Sequence, residues 1–330
     1  MPRLDIHTHL AGIGSEGSGC AVSSRMRRTL TYHGMRRLTG VHRPEARGRE
    51  DAAYVEVLAR TVDEARELDY ACVFAMDGVY DAHGELVRDQ SHLIVPNAHA
   101  MAACRAHRKL LPVISVNPDR KDAVEELERW GPSAVALKWL GPLQKFQLDA
   151  VRHAKVIAAI KELDLVVIAH TGCEHTFPGM DQRLGNPALY EPLLKKGIPV
   201  VFSHCGTGTF LHPGYDYTHE FIRMLDLYDH AYGDTSAFCT LVRFKRVRQF
   251  RVEKYVGRLV HGSDFPIPGL SVYFLPDLGF NRVVQLQGIR NPLDRDVLTK
   301  RAMGLPDSTL TAAGRILESG LARWQRSRQA

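Results

Sequence analysis

Short apolar runs alternate with longer amphipathic stretches along most of this chain. The runs at residues 4–10, 70–76, 110–116, 134–139, 165–170, 198–204 and 259–264 read as strands, with a weaker one at 230–236. Most are nearly continuous in apolar character, as expected for strands covered on both faces. Between them the period changes to that of a helix. At 50–68, Val55, Leu58, Val62 and Ala65 fall on one helical face. Further helices are predicted at 98–107, 119–130 with Asp119 as cap, 148–163, 187–196, 217–228, 242–255, 294–303 and 309–325. Residues 11–48 are rich in Gly, Ser and Arg and hold no steady period. They read as a long loop with short helical pieces, and a loop of that length is often an active-site lid.

Eight strands, each followed by helical sequence, predict an α/β protein of the (β/α)8 TIM-barrel type. The expected organisation is one domain over 1–330, with the lid at about 11–48 and C-terminal helices at about 294–325. A doubly wound open sheet is the competing fold. It would place a glycine-rich phosphate turn after the first strand, where His7-Thr8-His9 stands instead.

Composition narrows the setting. Of 330 residues, 45% are hydrophobic and 24% charged, which suits a globular protein, and no apolar run reaches the length of a membrane span. Met1-Pro2-Arg3 leads straight into a strand, so no secretory leader is expected. Six cysteines without C-x-x-C spacing favour free thiols and a cytoplasmic location. The net charge of +6 is partly local, because Arg25, Arg27, Arg28, Arg36, Arg37, Arg43, Arg47 and Arg49 crowd the lid. No nucleic-acid-binding module accompanies them. The cluster is read either as a solvated loop or as a mouth that attracts an anionic, carboxylate-bearing small molecule.

Ionisable residues stand at the C-terminal ends of the predicted strands, where barrel enzymes place their chemistry. Strand one carries His7 and His9, strand four Lys138, strand five His170, strand six His204 and strand eight Asp264. Two histidines two apart on a strand share a face and can bind one metal ion. The same alternation groups Lys138 with Ala134 and Ala136, His170 with Val166 and Ile168, and His204 with Val200 and Phe202.

The stretches Asp5-Ile6-His7-Thr8-His9, Ala136-Leu137-Lys138, Ile168-Ala169-His170-Thr171-Gly172, Phe202-Ser203-His204-Cys205-Gly206 and His261-Gly262-Ser263-Asp264-Phe265-Pro266 carry a resemblance. In order and placement they resemble the amidohydrolase superfamily, and within it the amidohydrolase-related branch that includes aminocarboxymuconate-semialdehyde decarboxylase. The resemblance implies that His7, His9, His170 and Asp264 hold a divalent metal, most often zinc, with His204 beside the reacting water. It implies one ion, or two if a carbamylated Lys138 and His204 serve a second.

The reaction so implied is hydrolysis of an amide, lactone or ester through metal-activated water. Asp264 would take the water proton, and His204 would orient the water, stabilise the oxyanion or act as base. Non-oxidative decarboxylation of an unsaturated or aromatic acid is the alternative on the same scaffold, and a non-catalytic metal-binding protein is the third reading. His175 and Lys138 are candidate substrate contacts, with Glu174 and Arg183 in the same overhanging loop as His175. Phe265, Pro266 and Ile267 are a candidate apolar wall. Cys173 and Cys205 read as structural thiols. A small molecule is the expected partner, with neither nucleic acid nor membrane, and a homodimer is compatible with the sequence.

Overall fold

Eight parallel strands form a nearly closed barrel in chain order: β1 (Leu4–His9), β2 (Tyr70–Phe74), β3 (Leu110–Ile114), β4 (Ala136–Trp139), β5 (Val167–His170), β6 (Val200–Ser203), β7 (Ala231–Asp234) and β8 (Leu259–Val260). The computed structural model describes residues 1–209 and 212–329. Each strand pairs in parallel with the next, from Leu4 opposite Tyr70 to Val260 opposite Asp234, with a register shift in β1 between Asp5 and Thr8. The barrel closes between β8 and β1 by backbone hydrogen bonds from Ile6 to His261 (3.0 Å), Asp264 to His7 (2.9 Å) and His9 to Phe265 (2.8 Å). That closure brings Asp264 alongside both strand-one histidines.

The helical expectations hold in kind and shorten in extent. The helix Glu50–Asp63 buries Val55, Leu58 and Val62, and Ala65 follows it, also buried. Leu58 is fully buried, and such a side chain stabilises the fold by roughly 1.5–3 kcal/mol. Ala154–Glu162, Thr218–Leu227 and Pro292–Ala302 fall inside or near their expected ranges. The expected helix at 242–255 is two short ones, Arg246–Phe250 and Glu253–Val256.

Three readings need correction. Asp119 does not cap the helix Ala123–Trp130; its carboxylate accepts from His153 Nε2 (2.8 Å) and pairs with Arg152. The helix Leu275–Gln287 was not anticipated, because Gly279 interrupts it at φ 71° and its apolar Phe280 and Val284 face outward, so no single buried stripe marks it. The pairing of His204 with Phe202 is also overturned. Phe202 packs outward, 6.0 Å from Phe221 and 6.4 Å from Tyr190, while Ser203 faces into the barrel and accepts from Lys138.

The lid is ordered by specific ties. Ala21–Val22 pairs antiparallel with Leu93–Ile94. Buried Asp51 accepts from the backbone N–H groups of Ile13 (2.6 Å) and Gly14 (2.9 Å) and from the Ser18 hydroxyl (2.5 Å). These bonds fold residues 11–48 back over the C-terminal end of the barrel.

Candidate metal centre

His7 and His9 emerge from β1 on one face, with their Nε2 atoms 3.2 Å apart. Asp264 Oδ1 lies 3.2 Å from His7 Nε2 and 3.1 Å from His9 Nε2. The three donor atoms therefore converge on one point. Asp264 reaches it because the chain turns sharply after the two-residue β8, with Asp264 at φ 70°. The Tyr54 hydroxyl donates to the His9 carbonyl (2.7 Å) and helps fix that strand end.

A second group stands beside the first. His170, Glu174 and His204 offer donors within 4.8 Å of one another. The His204 ring centroid is 4.9 Å from that of His170 and 5.2 Å from that of His7, so it links the two groups. His204 gets there by a left-handed backbone: its φ is 58° and that of Cys205 is 53°. The turn reverses the alternation of β6 and carries His204 inward one residue after inward-facing Ser203. The His170 Nε2 atom is buried without a hydrogen-bond partner. A buried polar atom so placed, beside the His204 imidazole and 3.9 Å from the Glu174 carboxylate, fits a cation ligand.

Asp234, at the end of β7, is the residue that sequence reasoning missed. Its Oδ2 accepts from His7 Nδ1 at 2.7 Å, which leaves His7 Nε2 free for a metal. Its Oδ1 accepts from the backbone N–H of His204 (2.8 Å) and Ser236 (3.0 Å) and from the Ser236 hydroxyl. The Ser236 oxygen in turn accepts from His204 Nδ1 (2.8 Å), so the neutral ring presents Nε2 as an acceptor. Arg243 was also missed. It is buried, its Nη2 donates to the Cys173 carbonyl and its Nε has no partner.

Electrostatics agree with a cation site. Burial opposes ionisation of Asp264, yet hydrogen bonds from His7 and His9 outweigh it and hold the carboxyl well below its ordinary value. Asp234 behaves likewise: burial is overcome by the charge and hydrogen bond of His7. Burial, then the charge of Arg243, pushes His204 down to about 3. Burial pushes Lys138 down to about 8, with Asp234, Asp264 and Glu174 pulling the other way. Lys138 is fully buried, donates to Ser203 Oγ (2.8 Å) and stands 4.7 Å above the Phe74 ring.

A pocket of ≈ 130 Å³ opens between this centre and the lid. His9, Asp264 and Glu174 form its polar floor, and Met26, Tyr32, Met35 and Ile267 are among its apolar walls. Of the eight lid arginines only Arg36 lines it, 3.9 Å from Glu50. Six of the others are exposed. His175 meets the Thr209 hydroxyl (2.7 Å), and the pocket is lined from that loop by Glu174, Thr176 and Phe177. Arg183 is exposed and paired with Asp181. Pro266 and Ile267 contribute to the wall, whereas Phe265 is buried behind it. Cys205 is buried, and its thiol donates to the Asp234 carbonyl (3.1 Å).

The family model described as Amidohydrolase matches residues 4–300, nearly the whole chain. The chain belongs to the amidohydrolase family. Family members are metal-dependent enzymes, which favours catalysis over a non-catalytic role. Among curated proteins none matches the chain. Among solved structures it is similar to a probable 2-pyrone-4,6-dicarboxylic acid hydrolase of Acinetobacter baumannii with citric acid bound, at 13% identity and a TM-score of 0.54 over 95% of this chain and 100% of that one. It is similar also to 5-carboxyvanillate decarboxylase of Sphingomonas paucimobilis, at 13% identity and a TM-score of 0.55 over 96% and 99%. At such identities the likeness is one of fold. Among the described residues no helix is long and apolar enough to cross a membrane.

Proposed function

We propose that this amidohydrolase-family enzyme is a hydrolase that cleaves an amide, lactone or ester bond of a small carboxylate-bearing molecule. The observation that carries the reading is the convergence of His7, His9 and Asp264 on one point at the pocket floor, with His9 and Asp264 in the pocket lining. These three and His170 would hold the ion, and zinc suits a set of imidazoles and one carboxylate. A divalent ion bound there supplies a Lewis acid that polarises the scissile carbonyl and acidifies water.

The chain's own residues supply the rest. Asp264, held ionised, accepts the proton of the attacking water at a carboxylate oxygen and returns it to the leaving group. His204, neutral and tied through Nδ1 to Ser236, accepts a hydrogen bond at Nε2 and so orients that water. The oxyanion-donor role expected for His204 fits less well, because its one ring proton is already committed. Asp234 holds His7 in the required tautomer. The lid excludes bulk water, and Arg36 provides a cation for a substrate carboxylate.

One observation favours a second reading. The pocket walls are mostly apolar, which suits the flat ring of an unsaturated acid, and decarboxylation of such an acid consumes no water. Zinc-loaded protein incubated in ¹⁸O-water with carboxylate-bearing lactones, amides and aromatic acids separates the two. Candidate substrates include 2-pyrone-4,6-dicarboxylate and 5-carboxyvanillate. Hydrolysis predicts one labelled oxygen in the product and no carbon dioxide. In Asp264→Asn, kcat should fall by about 10²–10⁴-fold. Carbon dioxide release without label would overturn hydrolysis.

A further inference from the structure

The loops after β5 and β6 meet beside the pocket and bring together a set of donors that the barrel chemistry does not use. We propose that Cys173, His175 and His212 form a second metal site at the rim, suited to zinc. The Cys173 sulfur and one ring nitrogen each from His175 and His212 lie within 4.8 Å of one another. The two imidazole rings stand 4.7 Å apart at an interplanar angle of 32°. Around tetrahedral zinc, bond lengths of about 2.0–2.3 Å place donor atoms roughly 3.3–3.7 Å apart. A contraction of about 1 Å therefore closes the set. One thiolate and two imidazoles select zinc over magnesium or manganese, and solvent can fill the fourth position beside exposed His212.

The close approach of these loops is built into the backbone. Gly172 has φ 79°, and a Cβ there would stand 2.2 Å from the Thr207 carbonyl oxygen. The Cys173 N–H donates to that same oxygen (3.4 Å), and the His212 N–H to the Thr209 carbonyl (3.3 Å). With His175 Nε2 donating to the Thr209 hydroxyl, Nδ1 keeps its lone pair for an ion. Binding releases the Cys173 thiol proton to water as the sulfur–metal bond forms. Side chains along 173–175 divide between two centres: Cys173 and His175 belong to the rim, and Glu174 to the group of His170 and His204. The Glu174 carboxylate accepts from the backbone N–H groups of His175 (2.7 Å) and Thr176 (2.6 Å). An ion at the rim would thus stiffen the segment that presents Glu174 to the pocket.

Cobalt(II) titration of the full chain, followed by sulfur-to-cobalt charge-transfer absorption in the near ultraviolet, reads this site alone, because the barrel donors are nitrogen and oxygen. The expected result is a band of one thiolate-bound cobalt per chain, complete by about two added cobalt because the barrel also takes one, and displaced by zinc. It should vanish in Cys173→Ser and in His212→Ala, and persist in His9→Ala, which disturbs only the barrel centre. His212 is exposed, so its variant decides the matter even if the buried serine substitution fails to fold. No band in the wild-type protein, or a band that survives His212→Ala at unchanged cobalt affinity, overturns the proposal.

Discussion

Asp234 is not in the pocket lining, yet it orients two histidines of the candidate metal centre. It accepts from His7 Nδ1 and from the backbone of His204. Replacing it by asparagine keeps the shape and removes the charge that fixes the His7 tautomer. Metal affinity in Asp234→Asn should fall by about 10–100-fold, measured by chelator competition, with the thermal transition of the metal-free protein changing far less. A metal affinity equal to wild type would exclude this positioning role. Arg36 acts differently, since it lines the pocket from the lid and reaches no reacting atom. Arg36→Ala should raise KM for a carboxylate substrate and leave kcat nearly unchanged, the signature of lost uniform binding. An equal fall in kcat and kcat/KM would instead place Arg36 in the transition state.

At the scale of elements, the barrel's closure and the turns at its rim make the site. The sequence showed His7 and His9 on one face because a strand has period two, and the two rings do meet although the pairing of β1 shifts between Asp5 and Thr8. It misled for His204 because β6 ends at Ser203 and His204, Cys205 and Gly206 then follow with positive φ. No hydrophobic pattern encodes such a reversal. Asp234 was invisible for another reason: its partner is His7, 227 positions away, and only the barrel's curvature joins them. The rim turn carries its own prediction. Gly172→Ala adds a methyl against the Thr207 carbonyl at a positive φ, and backbone strain of that kind costs about 1–3 kcal/mol. A urea midpoint unchanged from wild type would contradict it. The start of β1 is tied to β2 by Asp69, which accepts from the Arg3 backbone N–H (2.8 Å) and guanidinium (2.9 Å). The hydrogen bond from the Arg3 side chain, followed by its backbone bond and charge and only partly opposed by burial, lowers the Asp69 carboxyl below its ordinary value. A carboxyl depressed in the folded state adds stability above its unfolded pKa and loses it as pH falls through the folded value. The stability gap between wild type and Asp69→Ala should therefore narrow as pH falls below the ordinary aspartate range, in denaturant titrations across pH. A gap that widens on acidification would have the wrong sign.

Across the whole molecule, the repeating strand–helix period foretold the barrel, and the strand-end residues His7, His9, His170, His204 and Asp264 come together at one end of it. The lid's position was legible from its length, but its wall was not. Seven of its eight arginines lie outside the pocket lining, while Met26, Tyr32 and Met35 turn inward, because tertiary ties such as Asp51 to Ile13 and Gly14 decide which lid face is buried. The central claim is that a metal centre built by His7, His9 and Asp264 drives this enzyme. Its most direct test is elemental mass spectrometry of His212→Ala protein, purified without chelator, because that variant removes a rim ligand at an exposed position and leaves the barrel as the remaining site. The account predicts about one divalent ion per chain, lost together with activity when His7 and His9 are both replaced by alanine. Protein that stays metal-free after supplementation, or a double variant that keeps its ion, would contradict it.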